Sequence, residues 1–362
     1  MTAWDEYFSD WEFIVSLFPE GWRDKFKEYK VLKFGRKFSG PDKEGDLLRV
    51  IFMHLACGFS LRTTVANARA ANIVDIVDVT LFKHFQKCEA FFGWCIQELL
   101  KENHTYTHAI FSDNRQWKAI DGSLIREPGA TGGFRRIHYS LNIPQLNADQ
   151  IFITTQKTGE TLRLFKVFSG DVFLVDRGFM RIPDIKYVKE NHGDVLGRFS
   201  PYGKSIFDSR SGTAFALMPK LRQLHHGDIA GWDVEIGSGE DRIKGRLCAR
   251  KNTPQDAKKE EARVREHARK NRQIPSDKTI ELCGYTLIFT TLPSEEYSDQ
   301  FICNAYRLRW QVELMFKRLK SLLELGQLHK YDDTSIRTYL NGKMLIALLI
   351  EKMIRMTETF SP

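Results

Sequence analysis

Long apolar runs and paired cysteines are both missing from this sequence of 362 residues. The longest apolar run near the C-terminus, MLIALLI, is too short to cross a bilayer, so we expect a buried helix and no membrane partner. The six cysteines form no CxxC pair and no zinc-finger spacing with histidine, which predicts reduced, mostly buried thiols. The first residues, MTAWDEYFSDWEF, lack the basic and apolar regions of a signal peptide, so we expect a cytoplasmic protein.

A strong excess of one charge is also missing, although the balance is basic. The formal net charge is +8, with 42% hydrophobic and 28% charged residues, as in ordinary globular proteins. This charge favours a polyanionic partner over an acidic small molecule, but many soluble enzymes are equally basic. The sequence has no internal repeat or low-complexity tract, and its length predicts two or three domains.

The region 1–112 has the apolar periodicity of helices, and we predict a helical DNA-binding domain there. Its stretch GFSLRTTVANARAANIVDIVDVTLFKHFQK predicts two short helices around a turn, capped by Ser60 and Asp78. A helix-turn-helix on DNA and a plain helical hairpin in a bundle both fit this pattern. In the first case the cations near phosphates would be Arg62, Arg69 and Lys83.

From residue 113 the pattern changes to strands alternating with a helix, which predicts a mixed α/β domain over 113–199 and 293–345. The intervening 200–292 is strand-rich and irregular, so we predict a β-rich insertion domain. Its segment 250–273 has nine Lys or Arg and four Asp or Glu, which suits either a DNA-tracking basic arm or a solvated helix. A long helical region is predicted over 295–358, with 346–362 as a C-terminal helical tail.

Two aspartates stand at the ends of predicted apolar strands. Asp121 follows KAI and precedes Gly122 and Ser123, while Asp176 follows FLV and precedes Arg177. A carboxylate at a strand tip lies where the backbone turns and a ligand can approach. Asp-Gly is also a common turn, so each aspartate alone is weak evidence for a functional site.

The stretch from Tyr306 to Leu323, YRLRWQVELMFKRLKSLL, predicts an amphipathic helix. At about 100° per residue, Tyr306, Arg309, Glu313 and Lys320 share a wedge of about 60°. An apolar face made of Leu308, Val312, Met315, Leu319 and Leu322 lies opposite. Such a helix can simply present a solvated charged face, but a solvated face seldom needs the aromatic side chains found here.

These residues carry a resemblance to the insertion-sequence-four family of bacterial DDE transposases. The spacing Y-(2)-R-(3)-E-(6)-K is that family's signature, and its other two motifs, DG[ST] and DRG[FY], match Asp121-Gly122-Ser123 and Asp176-Arg177-Gly178-Phe179. The resemblance covers about residues 113–345 and reaches the N-terminal helices only in general character. It implies a transposase with an RNase H-like catalytic domain, interrupted by a β-rich insertion between the second aspartate and the glutamate helix.

The resemblance assigns catalysis and metal binding to Asp121, Asp176 and Glu313. Three carboxylates can hold two divalent cations across a scissile phosphate, so two Mg²⁺ ions per site are expected, with Mn²⁺ as a substitute. The implied reaction is cut-and-paste transposition, with strand cleavage, a hairpin intermediate and strand transfer. The alternatives are a catalytically silent or domesticated DNA-binding relative and another RNase H-like nuclease.

The implied partners are double-stranded DNA, as transposon ends and target, and a second copy of the chain in a synaptic complex on the bacterial nucleoid. Phosphate contacts are expected from Tyr306, Arg309 and Lys320, with Trp310 as a wedge where a base has flipped out of the duplex. Further DNA contacts are expected from Lys317, Arg198 and Arg177, although Arg177 could instead pair with a carboxylate. Two aromatic residues, Tyr285 and Trp232, are candidates for stacking on the flipped base and equally for core positions.

Overall fold

Five helices precede the first strand in this computed structural model, which describes residues 10–32, 42–104, 115–126, 133–143, 146–322, 328 and 332–358. They are α1 (Asp10–Ser16), α2 (Trp22–Glu28), α3 (Lys43–Ala56), α4 (Leu61–Ala70) and α5 (Asp78–His104). The predicted domain boundary at 112/113 lies outside the described residues. That these helices bind DNA stays a prediction.

The predicted helical pair is α4 and α5. The Ser60 cap is confirmed, because the backbone N–H of Thr63 donates to its hydroxyl at 3.1 Å. Asp78, predicted as the cap of the second helix, is instead its first residue, and this helix is not short, since it has 27 residues. The apolar residues of FFGWCIQELL extend its buried face beyond the stretch predicted to hold the helical pair. Helix α5 packs with this face against the last helix of the chain.

Nine strands form one mixed sheet in the order β3-β2-β1-β4-β5-β9-β8-β7-β6. The first five are β1 (Gln116–Arg126), β2 (Phe134–Asn142), β3 (Asn147–Thr155), β4 (Asp171–Val175) and β5 (Asp194–Arg198). The others are β6 (Ile206–Asp208), β7 (Ile229–Ile236), β8 (Ile243–Lys251) and β9 (Tyr285–Thr290). The predicted mixed α/β class is confirmed. The strands of 200–292 continue the same sheet through the antiparallel pair of β5 and β9, and that they form a separate domain stays a prediction.

The register of the sheet places the two aspartates side by side. Strands β1 and β4 are parallel, and Ala119 pairs with Leu174, so Asp121 and Asp176 each lie two residues further along neighbouring strands. The prediction that Asp121 ends its strand is wrong, because β1 continues to Arg126 in antiparallel pairing with β2. The Asp121-Gly122 pair is therefore strand and not turn. It lies where the pairing with β4 stops.

Both faces of the sheet are covered. Strand β4, DVFLV, is buried throughout, as expected for a central parallel strand. Alternate residues face two separate cores: Val172 and Leu174 pack with the N-terminal and C-terminal helices, while Phe173 and Val175 pack with the opposite face. That opposite face includes α6 (Ile182–Glu190) and α7 (Leu217–Arg222).

The charged segment of the predicted insertion is helical, as α8 (Pro254–Lys270), and α9 (Asp277–Leu282) follows it. The Thr253 hydroxyl caps α8 by accepting from the backbone N–H of Asp256 at 3.0 Å. Nearly every side chain of α8 is at least partly exposed, so the helix fits its charged composition. Whether it tracks DNA stays a prediction.

The helical region predicted over 295–358 consists of separate segments. Helix α10 (Asp299–Ala305) leads into a 3-10 turn at Tyr306–Arg309, which is followed by α11 (Trp310–Leu322) and α12 (Asp333–Glu358). The tighter winding of the 3-10 turn changes the directions of Tyr306 and Arg309 relative to a single α-helix. Helix α12 passes without a break through the predicted boundary at 345/346.

The cysteine prediction is confirmed for five of the six thiols, which are buried and free, whereas Cys57 is exposed. None of the described helices combines the length and the apolar character needed to cross a membrane.

Candidate active site

Asp121 is the most perturbed carboxyl group at the junction of β1 and β4. Burial raises its pKa to about 6, although the backbone N–H of Gly122 donates to its Oδ1 at 2.8 Å and the nearby Arg309 favours the charged form. The negative charges of Glu313 and Glu160 add to the increase. A raised carboxyl pKa beside other acids is typical of sites that bind cations.

Asp176 follows β4 directly and begins a 3-10 turn over Arg177–Phe179. Its carboxylate does not cap that turn, which is held instead by the backbone N–H of Phe179 donating to the carbonyl of Asp176 at 3.1 Å and by burial of the Phe179 ring. The side chain is therefore available for another partner. It accepts a hydrogen bond from the hydroxyl of Tyr306 at 3.4 Å.

The turn Tyr306–Arg309 brings a tyrosine and a guanidinium to the three acids. Arg309 forms an ion pair with Glu313 and lies 4.0 Å from Oδ2 of Asp121. Burial opposes the charge of Arg309, but Tyr306, Glu313 and Asp176 outweigh it and raise its pKa. Burial also raises the pKa of Tyr306 to about 12, so its hydroxyl stays a donor. One fixed positive charge thus stands among three carboxylates.

Glu313 lies in the first turn of α11 and borders a cleft of about 540 Å³ that we call the carboxylate cleft. Helix α11 is fixed over the sheet by its buried face, where Phe316 packs edge-on against Tyr139 at 5.8 Å. The predicted apolar face is confirmed at Val312, Met315 and Leu319. The lining of the cleft is Asp121, Gly122, Ser123, Glu313, Phe316, Lys317, Lys320 and Ser321.

The donor chemistry of this cleft suits a hard divalent cation, because the described residues that line it offer carboxylate oxygens and no sulfur or imidazole. The acids Glu313 and Glu160 lie near enough to Asp121 to raise its pKa, so further carboxylates are close to this group. As placed, no trio of acidic, histidine or cysteine side chains in the described part of the chain is close enough to hold one ion together. Glu313 is drawn to Arg309 instead, so Arg309 supplies the compensating positive charge in this arrangement.

A second space of about 530 Å³, the basic cavity, is lined in part by Tyr306 and Arg307 of the 3-10 turn. Its cations come from β5, β8, α8 and the turn itself, and they are Arg198, Arg250, Lys259, Arg263 and Arg307. Glu260 of α8 accepts from Arg198 at 2.6 Å and from Arg177 at 3.1 Å. The alternative that Arg177 pairs with a carboxylate is therefore what the structure shows, and its role toward DNA stays a prediction.

The other predicted DNA contacts are distributed differently. Trp310 is 53% exposed at the start of α11, while Lys317 and Lys320 are exposed on the carboxylate cleft. Tyr285 is buried at the start of β9, where Lys251 donates to its hydroxyl at 3.4 Å. Trp232 is half-buried against Phe215, with ring centroids 5.8 Å apart. Neither Tyr285 nor Trp232 borders either cavity, and base stacking by them stays untested.

Two acids near the site carry no signal in the sequence. Glu160 lies in a turn after β3 and belongs to no motif, yet it influences Asp121 across the sheet. Glu260 is one of several acids in a charged helix, and only the fold shows that it, and not its neighbour Glu261, faces two arginines. Long-range pairing of this kind cannot be read from spacing.

Comparisons with known proteins agree with the motifs. The family model described as "Transposase DDE domain" matches residues 153–350. A putative transposase InsL of insertion element IS186A from Escherichia coli (strain K12) is 28% identical over 87% of this chain and 86% of its own length. The transposase of IS421 from Escherichia coli is 28% identical over 84% and 82%. The transposase of IS231F from Bacillus thuringiensis subsp. israelensis is 21% identical over 91% and 76%. The resemblance inferred from the motifs is confirmed.

Proposed function

The chain belongs to the DDE transposase family and is a transposase, and we propose that it cleaves and rejoins DNA ends with Asp121, Asp176 and Glu313 as the catalytic, metal-binding acids. The observation that carries this assignment is the convergence of all three on Arg309 and Tyr306 at the junction of β1 and β4. The family implies an RNase H-like fold and divalent metal ions. We propose two Mg²⁺ ions, with Mn²⁺ as a substitute.

The acids and the basic residues have different tasks in this proposal. When bound, the divalent ions lower the pKa of the attacking hydroxyl and neutralise the leaving oxygen. Asp121, Asp176 and Glu313 hold the ions by oxygen ligands. Tyr306 and Arg309 fix phosphate oxygens beside the cut, and for this Arg309 exchanges Glu313 for phosphate. A guanidinium fork suits both partners, so the exchange keeps its charge compensated.

The DNA substrate is proposed to be the terminal inverted repeats of an insertion element, held by two copies of the chain in a synaptic complex. Phosphate contacts are supplied by Lys317 and Lys320 on the carboxylate cleft, by Arg198 on the basic cavity, and by Arg177, which shares the partner Glu260 with Arg198. Such contacts set position on the duplex without reading its sequence. Cleavage by a hairpin intermediate, with Trp310 as the wedge, completes the proposal.

The test is metal-dependent cleavage of a duplex that carries one terminal repeat, with Asp121→Asn, Asp176→Asn and Glu313→Gln compared individually. Each variant should lose at least about 1,000-fold in cleavage rate and bind the repeat within about threefold of the parent protein. The matched control is Glu295→Gln, a surface acid away from the cleft, which should cleave normally. Substantial cleavage by any one of the three variants contradicts the assignment of that acid.

A further inference from the structure

Glu160 lies close to one glycine of each aspartate motif without belonging to either motif. It follows β3 in the chain, and its half-buried side chain extends over the glycines that come after Asp121 and Asp176. A Cβ atom on Gly178 would collide with Oε2 of Glu160, and a Cβ atom on Gly122 would lie 3.7 Å from its Oε1. One carboxylate thus lies close to both glycines.

This position explains the glycine at Gly178. Its backbone does not adopt the left-handed conformation that favours glycine, so conformational freedom is not the reason for the residue. Among the described residues, Glu160 supplies the only atoms within 4 Å of a Cβ added there. The missing side chain therefore makes room for the Glu160 carboxylate, two residues from Asp176.

The local structure around Glu160 does not need its carboxylate. The 3-10 turn at Leu162–Leu164 is capped by Thr161, whose hydroxyl accepts from the backbone N–H of Arg163 at 3.3 Å. Asp184 accepts from the backbone N–H of Leu162 at 3.2 Å and from the Thr161 hydroxyl. Within the described part of the chain, no hydrogen bond or ion pair is formed by Glu160 itself. A charged group so placed, and with no structural partner, is available for a ligand.

We propose that Glu160 is a fourth carboxylate of the cation site, which strengthens divalent-cation binding by Asp121 and Asp176. This inference rests on the proposed function. The added negative charge favours a cation at short range, and a carboxylate beside the ligands can also accept hydrogen bonds from cation-bound water, which Mg²⁺ largely retains. Its charge already acts on Asp121, whose pKa it helps to raise.

The experiment measures Mn²⁺ binding to the full chain by the electron paramagnetic resonance signal of the free ion, which needs no cleavage. Glu160→Gln should weaken binding about tenfold, as loss of a supporting group beside metal ligands commonly does. Glu160→Asp should recover part of that loss, and Glu295→Gln should bind as the parent does. Metal-free melting temperatures should be equal for all four proteins, because Glu160 holds no structural contact.

Gly178→Ala gives an independent route to the same result, since the added methyl group displaces only the Glu160 carboxylate. It should weaken Mn²⁺ binding in the parent protein and have little further effect when combined with Glu160→Gln. Fully additive losses in the double variant would overturn the proposal.

Asp121→Asn in the same assay distinguishes a failure of the Glu160 proposal from a failure of the proposed function. If Asp121→Asn abolishes Mn²⁺ binding while Glu160→Gln leaves it unchanged, the role of Glu160 is refuted and the proposed function stands. If neither substitution alters binding, the cation site itself is refuted. If Glu160→Gln lowers the metal-free melting temperature by several degrees, its role is structural and the proposal is again refuted.

Discussion

The carboxylate cleft and the basic cavity are nearly equal in volume, but they differ in charge. The cleft is lined by two acids, Asp121 and Glu313, and by two lysines, whereas the basic cavity is lined by five cations and two acids. A phosphoryl-transfer enzyme needs negative charge for metal ions and positive charge for the DNA backbone. In the 3-10 turn, residues that serve the two requirements are only a few positions apart in the chain. Tyr306 lines the basic cavity, and its hydroxyl donates to Asp176.

Arg309 gives the sharpest test of this difference in charge, because it is the cation that lies beside both Asp121 and Glu313. We predict that Arg309→Gln lowers the single-turnover cleavage rate about 100-fold, since the acids lose their compensating charge and the phosphate loses a fork of donors. Arg309→Lys should lose about tenfold, because it retains the charge without the fork. A lysine variant as active as the parent would mean that charge alone matters and would weaken the distinction between the two cavities.

Asp121 provides a stability test that needs no DNA. Its folded pKa is about 6 against an ordinary 3.8, so the folded protein retains a proton that the unfolded chain releases between these pH values. Stability from this group is therefore present below about pH 4 and is lost as pH rises through 6. Asp121→Asn should raise the free energy of unfolding by about 2 kcal/mol at pH 7 and leave it unchanged near pH 4.

Urea unfolding in metal-free buffer at both pH values measures this difference. Glu295→Gln is the control and should shift neither curve. An Asp121→Asn effect of equal size at both pH values would show that the substitution acts through packing and not through the charge of the cleft. The inference that the charged form of Asp121 is destabilised mainly by burial would then be wrong.

Local patterns predicted a useful part of this fold. The Ser60 cap, the buried run of β4 and the apolar face of α11 depend on residues close in sequence, and all three are confirmed. Errors arose where a distant partner decides the outcome. Asp121 remains within its strand because β2 pairs alongside it, and α5 is long because α12 covers its apolar face.

For the site, too, residues that depend on local spacing were predicted and residues that depend on distant partners were missed. Motif spacing selected Asp121, Asp176, Glu313 and their neighbours on the turn, because those residues lie within three short segments. Glu160 and Glu260 were missed, since each acts on residues far away in the chain and neither stands out in its own segment. The break between α10 and α11 was also missed, because the sequence from Asp299 to Leu322 has no helix-breaking residue.

Trp310 lies at the end of the turn and belongs to neither cavity's lining, so it tests whether DNA passes over the turn itself. We predict that Trp310→Ala slows hairpin formation about tenfold and slows first-strand nicking much less, because stacking on an unpaired base is lost. Trp310→Phe should restore most of the rate. Denaturing gels of end-labelled duplex resolve both steps, and equal slowing of the two would contradict the wedge role.

Glu260 gives the smallest expected effect and bears on the basic cavity. Its carboxylate is mostly buried and pairs with Arg177 and Arg198, and these arginines outweigh the effect of burial and lower its pKa. If these arginines bind DNA as proposed, Glu260 competes with phosphates for them. Glu260→Gln should tighten binding of a terminal repeat about threefold at low salt and steepen the salt dependence by about one released ion.

Glu261→Gln is the matched control, because Glu261 lies on the same helix and pairs only with Arg265 among the described contacts. It removes the same charge without freeing Arg177 or Arg198, so any difference between the two variants reports on the pairing and not on net charge. Weaker binding by Glu260→Gln would mean that the carboxylate holds the arginines in the geometry that DNA requires. In that case an acid, Glu260, holds the cations of the basic cavity in place. A cation, Arg309, would do the same for the acids beside the carboxylate cleft.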